Sequence, residues 1–322
     1  MFLLCNQYAK ASPLFEESDD QPLIVTIETD LIKIQNNKSE FHTSTENHLT
    51  GRFLFRDDAF NIKIQTRGHD RLARCQFPPL KISFAKSEIR SSLLKGNQKL
   101  KVVTHCQNDN LNTLFREHLI YKIYNLITDH SFQVRLLKIQ YIDVNGKEDP
   151  IDTYAFFIES TNSIEKRLNL HELESGDKFN MRTYSDLSEN WLNPSLVATH
   201  DAFQHLIRNN DWVIFYSEPT RTYSLANVSF FYNVNEGFPF PYDFDLAGVI
   251  TWDDESYAYR YGNEMLCTNV EMRKAFVQIL SHRDEYFQLI DSDSDLNVDY
   301  KNQFADYVNQ FKSVEDFCLE AE

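Results

Sequence analysis

Pro239-Phe240-Pro241-Tyr242-Asp243-Phe244-Asp245-Leu246-Ala247-Gly248 places two carboxylates two residues apart in an apolar run, with prolines before them and a glycine after. In a strand, residues i and i+2 point to the same face, so Asp243 and Asp245 would aim at one point. Two like charges held away from water are costly unless a cation lies between them or one takes up a proton. The stretch therefore reads as a metal-binding strand end. The other reading is a hairpin corner, where the aspartates accept from local backbone N–H groups.

Outward from this stretch, composition sets the bounds. The 322 residues are 42% apolar, with 25 Phe and 16 Tyr, enough to bury a substantial core. Only 8 Gly and 9 Pro argue against a low-complexity chain. The formal charge is −16, from 48 acidic against 32 basic residues, and no Lys/Arg run offsets it. Such a surface repels phosphate backbones and anionic headgroups, which disfavours nucleic acid and membrane surfaces as partners. A small phosphate pocket lined by a few cations stays open. No apolar segment approaches the ~20 residues needed to span a bilayer.

Met1-Phe2-Leu3-Leu4-Cys5 is apolar but lacks a basic n-region and a full h-region. The chain reads as soluble as written, and as extracytoplasmic if that start is the stub of a longer signal. Its five cysteines contain no CxxC, against a zinc ribbon or thioredoxin-type site. Cys75 and Cys106 both lie in the strand-rich first half, and a bridge between them is predicted if the protein is exported.

In chain order, residues 1–20 form a polar, acidic lead-in. Strand patterns follow at 23–28, 52–55, 61–66, 77–84 and 100–104, an antiparallel sheet. Phe115, Leu119, Ile120, Ile123, Leu126 and Ile127 then repeat at helical spacing behind an Asn/Asp-rich cap at 108–112. Strand patterns resume at 133–139 and 154–159. Asn193-Pro194 is an N-cap and first-turn pair for a helix running to about 207. Short strands at 212–216 and 226–233 lead to the Asp243 stretch, and from about 264 the period is helical.

Polar residues at the ends of these elements suggest phosphoryl transfer, which is mostly positioning and charge neutralisation: metal ions on Asp and Asn, a Lys on phosphates, an Asp at the attacking hydroxyl. Lys101, Glu117, Asp211, Asn227 and Asp243 occur in a suitable order. The first four have plainer readings: a solvent-facing strand lysine, a helix-surface glutamate, a turn aspartate, a hairpin asparagine. His200 and His205 read as solvated or capping, and His105 as structural. Asp291-Ser292-Asp293-Ser294-Asp295 opens like a calcium loop but has Leu296 and Asn302 where Gly and Glu belong, so it reads as an acidic helix cap. No GxSxG, HExxH or GxxxxGK[ST] occurs.

Arg67-Gly68, Phe77-Pro78-Pro79-Leu80-Lys81, the Lys99–Lys101 strand, Leu114-Phe115-Arg116-Glu117, Tyr154–Glu159, Asn210-Asp211-Trp212 and Tyr242–Asp245 together resemble the CotH-type spore-coat kinase-like family over about residues 60–250. The resemblance implies an α+β, two-lobed kinase-like fold. Its antiparallel β-rich N-terminal lobe, with one helix, covers 21–159; its mainly helical C-terminal lobe covers 160–322. It also implies an ATP- and Mg²⁺-dependent phosphotransferase acting on a protein or small-molecule hydroxyl; the alternative is a catalytically inactive kinase-shaped module, either binding or structural, with export left open. Asp211 takes the base role, Asn227 and Asp243 the metal, with Asp245 as a further ligand or support. Lys101 pairs with Glu117 and holds the phosphates, with Lys81 as its rival and Arg67 nearby, and backbone near Glu159 meets the adenine. The chain departs from the kinase pattern in lacking GxGxxG and His-Arg-Asp, and in separating Asp211 from Asn227 by far more than the short H-R-D-x-x-x-x-N loop.

Overall fold

The computed structural model describes residues 12–16, 21–106, 111–173, 182–185, 191–217, 219, 222–251 and 268–319. Most of the lead-in, most of the cap at 108–112 and the onset of helix near 264 lie outside the described residues. The chain divides into two compact units: 1–114 with 133–170, and 115–132 with 171–322.

The first unit is built on seven strands: Leu23–Thr29 (β1), Leu49–Phe55 (β2), Asp58–Thr66 (β3), Leu80–Phe84 (β4), Lys99–Val103 (β5), Val134–Asp143 (β6) and Ile151–Ile158 (β7). Alternation explains most of them. In β1, Leu23, Val25 and Ile27 are buried while their neighbours face outward. Between β2 and β3 the register closes at Phe55 opposite Asp58, and Arg56 takes φ 55°, the left-handed geometry of a tight hairpin.

The strands close in the order β1-β2-β3-β4-β5-β7-β6, because β6 returns beside β1 in parallel, from Leu23 opposite Leu137 to Thr29 opposite Asp143. This corrects the expected fold. The first unit is a closed mixed barrel, and the chain does not form the two-lobed kinase-like α+β arrangement with a mainly helical C-terminal half. Closure removes both sheet edges and fills the interior with Phe53, Ile64, Ile82, Leu100, Leu137, Ile139 and Phe157. At the end of β6, Asp143 accepts the N–H groups of Leu31 (3.1 Å) and Lys147 (2.9 Å), tying the turn after β1 to its parallel partner. A disulfide joins Cys75, before β4, to Cys106, after β5, and Phe77 N–H donates to the Cys106 carbonyl at 3.1 Å. The bridge predicted for an exported chain is formed.

The second unit adds His171–Glu172 (β8), Arg182–Ser185 (β9), Val213–Ser217 (β10), Thr222–Ala226 (β11), Val228–Tyr232 (β12) and Gly237–Pro241 (β13). They make two three-stranded sheets, ordered β10-β11-β9 and β13-β12-β8. Helices include Asn112–Ile127 from Phe115 onward, Pro194–Leu206, Val270–Ser281, Arg283–Ser292 and Val298–Gln310. The predicted cap forms: Asn193 Oδ1 accepts Leu196 N–H at 3.0 Å, with Pro194 in the first turn. Asp293 stands at the C-terminal end of helix Arg283–Ser292 and accepts Asp295 N–H at 2.9 Å in the turn that follows; the N-cap of helix Val298–Gln310 is Asn297, whose Oδ1 accepts Tyr300 N–H at 2.7 Å, in place of the expected acidic residue. Gly237 is required where it stands, because a Cβ there would lie 2.3 Å from the Trp191 ring. Trp191 in turn packs on Phe230 with centroids 5.9 Å apart.

Candidate functional site

The residues singled out from sequence divide between the units. Arg67, Lys81, Lys101 and Glu159 belong to the first; Glu117, Asp211, Asn227, Asp243 and Asp245 belong to the second.

In the second unit, the site residues stand at junctions rather than inside strands. Asp211 lies just before β10, and Asn227 is the single residue between β11 and β12. The β10–β11 hairpin pairs Val213 with Ala226, so it returns the chain to where it started. A separation of 16 residues therefore becomes a contact: Asn227 Nδ2 donates to the Asp211 carbonyl at 2.6 Å and to Asp211 Oδ2 at 2.8 Å. Val228 pairs with Pro241, and Tyr242 N–H donates to the Asn227 carbonyl at 3.0 Å, which sets Asp243 next in line.

Asn227 and Asp243 have φ of 52° and 63°. Asn and Asp tolerate this left-handed region best among residues with a side chain. Held backbone strain of this kind gathers at functional sites. Asp243 N–H donates to Tyr121 Oη at 2.8 Å, and the buried Tyr121 ring meets Phe244 edge-on at 4.7 Å. The i, i+2 strand argument for Asp243 and Asp245 does not apply, since β13 stops at Pro241 and a turn follows, with Ala247 N–H on the Phe244 carbonyl at 2.8 Å. Phe244 is fully buried while both aspartates remain half-buried.

This donor set fits a hard cation. With Nδ2 committed to Asp211, the oxygen of the Asn227 amide is the atom left for a ligand, and it accepts no hydrogen bond among the described residues. Among the described residues no group of three or more His, Cys, Asp and Glu is gathered as a metal cage. Mg²⁺ does not need one, because it keeps waters and is held by one or two carboxylates together with substrate phosphates.

In the first unit, Lys81 stands opposite Lys101 across β4 and β5, and Gln65 completes the row on β3. Burial, then Lys99 and Arg67, push the Lys81 amine below its ordinary range. The two rival lysines thus share one face. Arg67 N–H donates to the Pro79 carbonyl at 2.9 Å at the entry to β4. Glu159 is fully buried; its carboxylate accepts from Arg167 Nη2 (2.9 Å), Arg167 Nε (3.2 Å) and Ser163 Oγ (2.8 Å). Its N–H is taken by the Gln133 carbonyl at 2.8 Å.

No family model matches the chain, and no curated protein matches it. Among the described residues no helix is long and apolar enough to cross a membrane.

Sequence reasoning missed two contributors. Tyr121 carried no mark beyond an aromatic in a helix. His200, expected to be solvated or capping, is fully buried with Nδ1 2.8 Å from Asp201 Oδ1. Glu117, in the second unit, is 1% exposed rather than on a helix surface.

Proposed function

We propose that the second unit carries a phosphoryl-transfer site that uses ATP and Mg²⁺ and acts on the hydroxyl of a protein or small molecule. The observation that carries this reading is the direct Asn227–Asp211 bond, with Tyr242, the residue before Asp243, bonded to the Asn227 carbonyl. The CotH-type resemblance supports it by giving the same three residues the base and metal roles. Asp211 receives the proton as the acceptor oxygen attacks the γ-phosphorus, the bond to the β,γ-bridging oxygen breaks, and ADP leaves. Asn227 Oδ1 and the Asp243 carboxylate hold Mg²⁺, with Asp245 as a further ligand or support; the ion, when bound, neutralises phosphate charge. The lysine row on the first unit offers a positive surface suited to phosphate oxygens.

The test is thermal stabilisation by Mg²⁺–ATP of the wild type, Asp243→Ala and Asp211→Asn, followed by ATP consumption. The wild type should be stabilised, Asp243→Ala should lose most of that shift, and Asp211→Asn should keep binding but lose turnover. Equal behaviour of wild type and Asp243→Ala overturns the site. Binding in the wild type without any ATP consumption makes the protein a nucleotide-binding module instead.

A further inference from the structure

We propose that Gln204 and Asn209 are positioning residues for Asp211, linked through His200 into a one-way hydrogen-bond chain; this rests on the phosphotransfer reading above. The chain begins at the backbone of the residue it serves. Asp211 N–H donates to Asn209 Oδ1 at 3.0 Å, and Asn209 Nδ2 donates to Gln204 Oε1 at 2.9 Å. Gln204 Nε2 lies 3.4 Å from His200 Nε2, and His200 Nδ1 lies 2.8 Å from Asp201 Oδ1.

Donor chemistry fixes the direction. An amide nitrogen only donates, so His200 Nε2 accepts from Gln204, and its ring proton sits on Nδ1 and goes to the Asp201 carboxylate. Every N–H therefore points from Asp211 toward Asp201, and each bond polarises the next. The three intermediates are buried, at 0% for His200, 1% for Gln204 and 3% for Asn209, so water cannot substitute for a lost link. Trp212 encloses the end: its Nε1 donates to the Asn209 carbonyl at 3.0 Å and its ring meets His200 edge-on at 4.7 Å.

Buried amides need partners in any fold, and mere satisfaction would explain a chain ending anywhere. This one starts at the N–H of Asp211, whose carbonyl and carboxylate are held by Asn227. Asp211 is thereby gripped at three atoms. Gln204, in the last turn of helix Pro194–Leu206, reaches the site through its bond from Asn209.

The test uses the full chain with Gln204→Ala, Gln204→Glu and Asn209→Ala. The readouts are ATP consumption resolved into kcat and KM, and hydrogen exchange over residues 208–213. Gln204→Ala and Asn209→Ala should each lower kcat about 10- to 100-fold, with KM for Mg²⁺–ATP within about twofold. Gln204→Glu, which keeps an oxygen for Asn209 Nδ2 and can accept from a protonated His200 Nε2, should recover most of the rate lost in Gln204→Ala. In both alanine variants, exchange at the Asp211 amide should rise about tenfold or more, with strand Val228–Tyr232 unchanged. Unchanged kcat and exchange in Gln204→Ala overturns the inference, as does a Gln204→Glu no better than Gln204→Ala. If Gln204→Ala does not fold, Asn209→Ala decides by the same readouts. If the wild type consumes no ATP, the phosphotransfer reading falls by itself, and the exchange measurement alone decides whether the chain holds residue 211.

Discussion

Asn227 joins two sheets, binds Asp211 and holds a left-handed backbone, and those duties can be separated by substitution. Asn227→Gly removes the amide while keeping φ near 52° accessible; Asn227→Ala removes the amide and adds strain of about 1 kcal/mol. Losing the amide itself should cost about 1–3 kcal/mol, because a part-buried carboxylate loses its donor. Urea unfolding should therefore rank wild type above Gly and Gly above Ala, while Mn²⁺ titration should fail equally in both variants. Equal Mn²⁺ binding in all three would remove the amide oxygen from the metal set. His205 supplies a second residue-scale expectation. Burial pushes its imidazole down to about 4 from 6.5. The folded protein thus resists a proton that the unfolded chain accepts below pH 6.5, and stability is lost as pH falls from there toward 4. By linkage the loss at pH 5 is about 2 kcal/mol. His205→Gln should flatten that part of the profile; an unchanged difference between pH 7 and pH 5 would refute it.

Elements were more legible than their partners. Strand patterning located β1, β3, β4 and β7, and the Asn193-Pro194 pair marked a helix start, because both signals are local. The parallel pairing of β1 with β6 left no such mark, since alternation says which face of a strand is buried and nothing about which edges meet. The candidate site was half legible for the same reason. Residue types and order pointed to Asp211, Asn227 and Asp243, yet the interval between the first two argued against them until the β10–β11 hairpin closed it. The Gln204–Asn209 chain was invisible, because buried amides resemble surface ones in sequence. At this scale the Glu159–Arg167 pair is the sharpest test, fastening the end of β7 to helix Thr161–Leu168 with both side chains buried. Arg167→Ala should cost about 3–5 kcal/mol by leaving an uncompensated carboxylate, whereas Glu159→Leu with Arg167→Met should recover a large share. Strictly additive losses in that cycle would mean the two groups are not coupled.

On the scale of the whole molecule, the acidic balance and the single described bridge bear on where and how the chain stays folded. A net charge of −16 makes the compact state repel itself, so any constraint on the unfolded chain counts for more. Cys75 and Cys106 are 31 residues apart, and closing a loop of that length removes unfolded-state entropy worth about 3–4 kcal/mol. The bridge closes a loop that takes in β4 and β5 whole, with Lys81 on the first and Lys99 and Lys101 on the second. Like charges facing each other across β4 and β5 weaken that pairing, and the disulfide offsets the weakness at the end where the strands would fray. Bridges of this sort persist in oxidising compartments. A dithiol reductant takes the disulfide to two thiols and is itself oxidised to a cyclic disulfide. Reduction should then lower the unfolding free energy of the barrel by about 3–4 kcal/mol, and Cys75→Ala with Cys106→Ala should reproduce the loss without reductant. In a melt with two transitions, only the one belonging to the barrel should move. Alkylation in denaturant without reductant should leave Cys75 and Cys106 unmodified; labelling of both would show that the bridge does not form, and would return the stability of the barrel to its sealed edges and apolar interior alone.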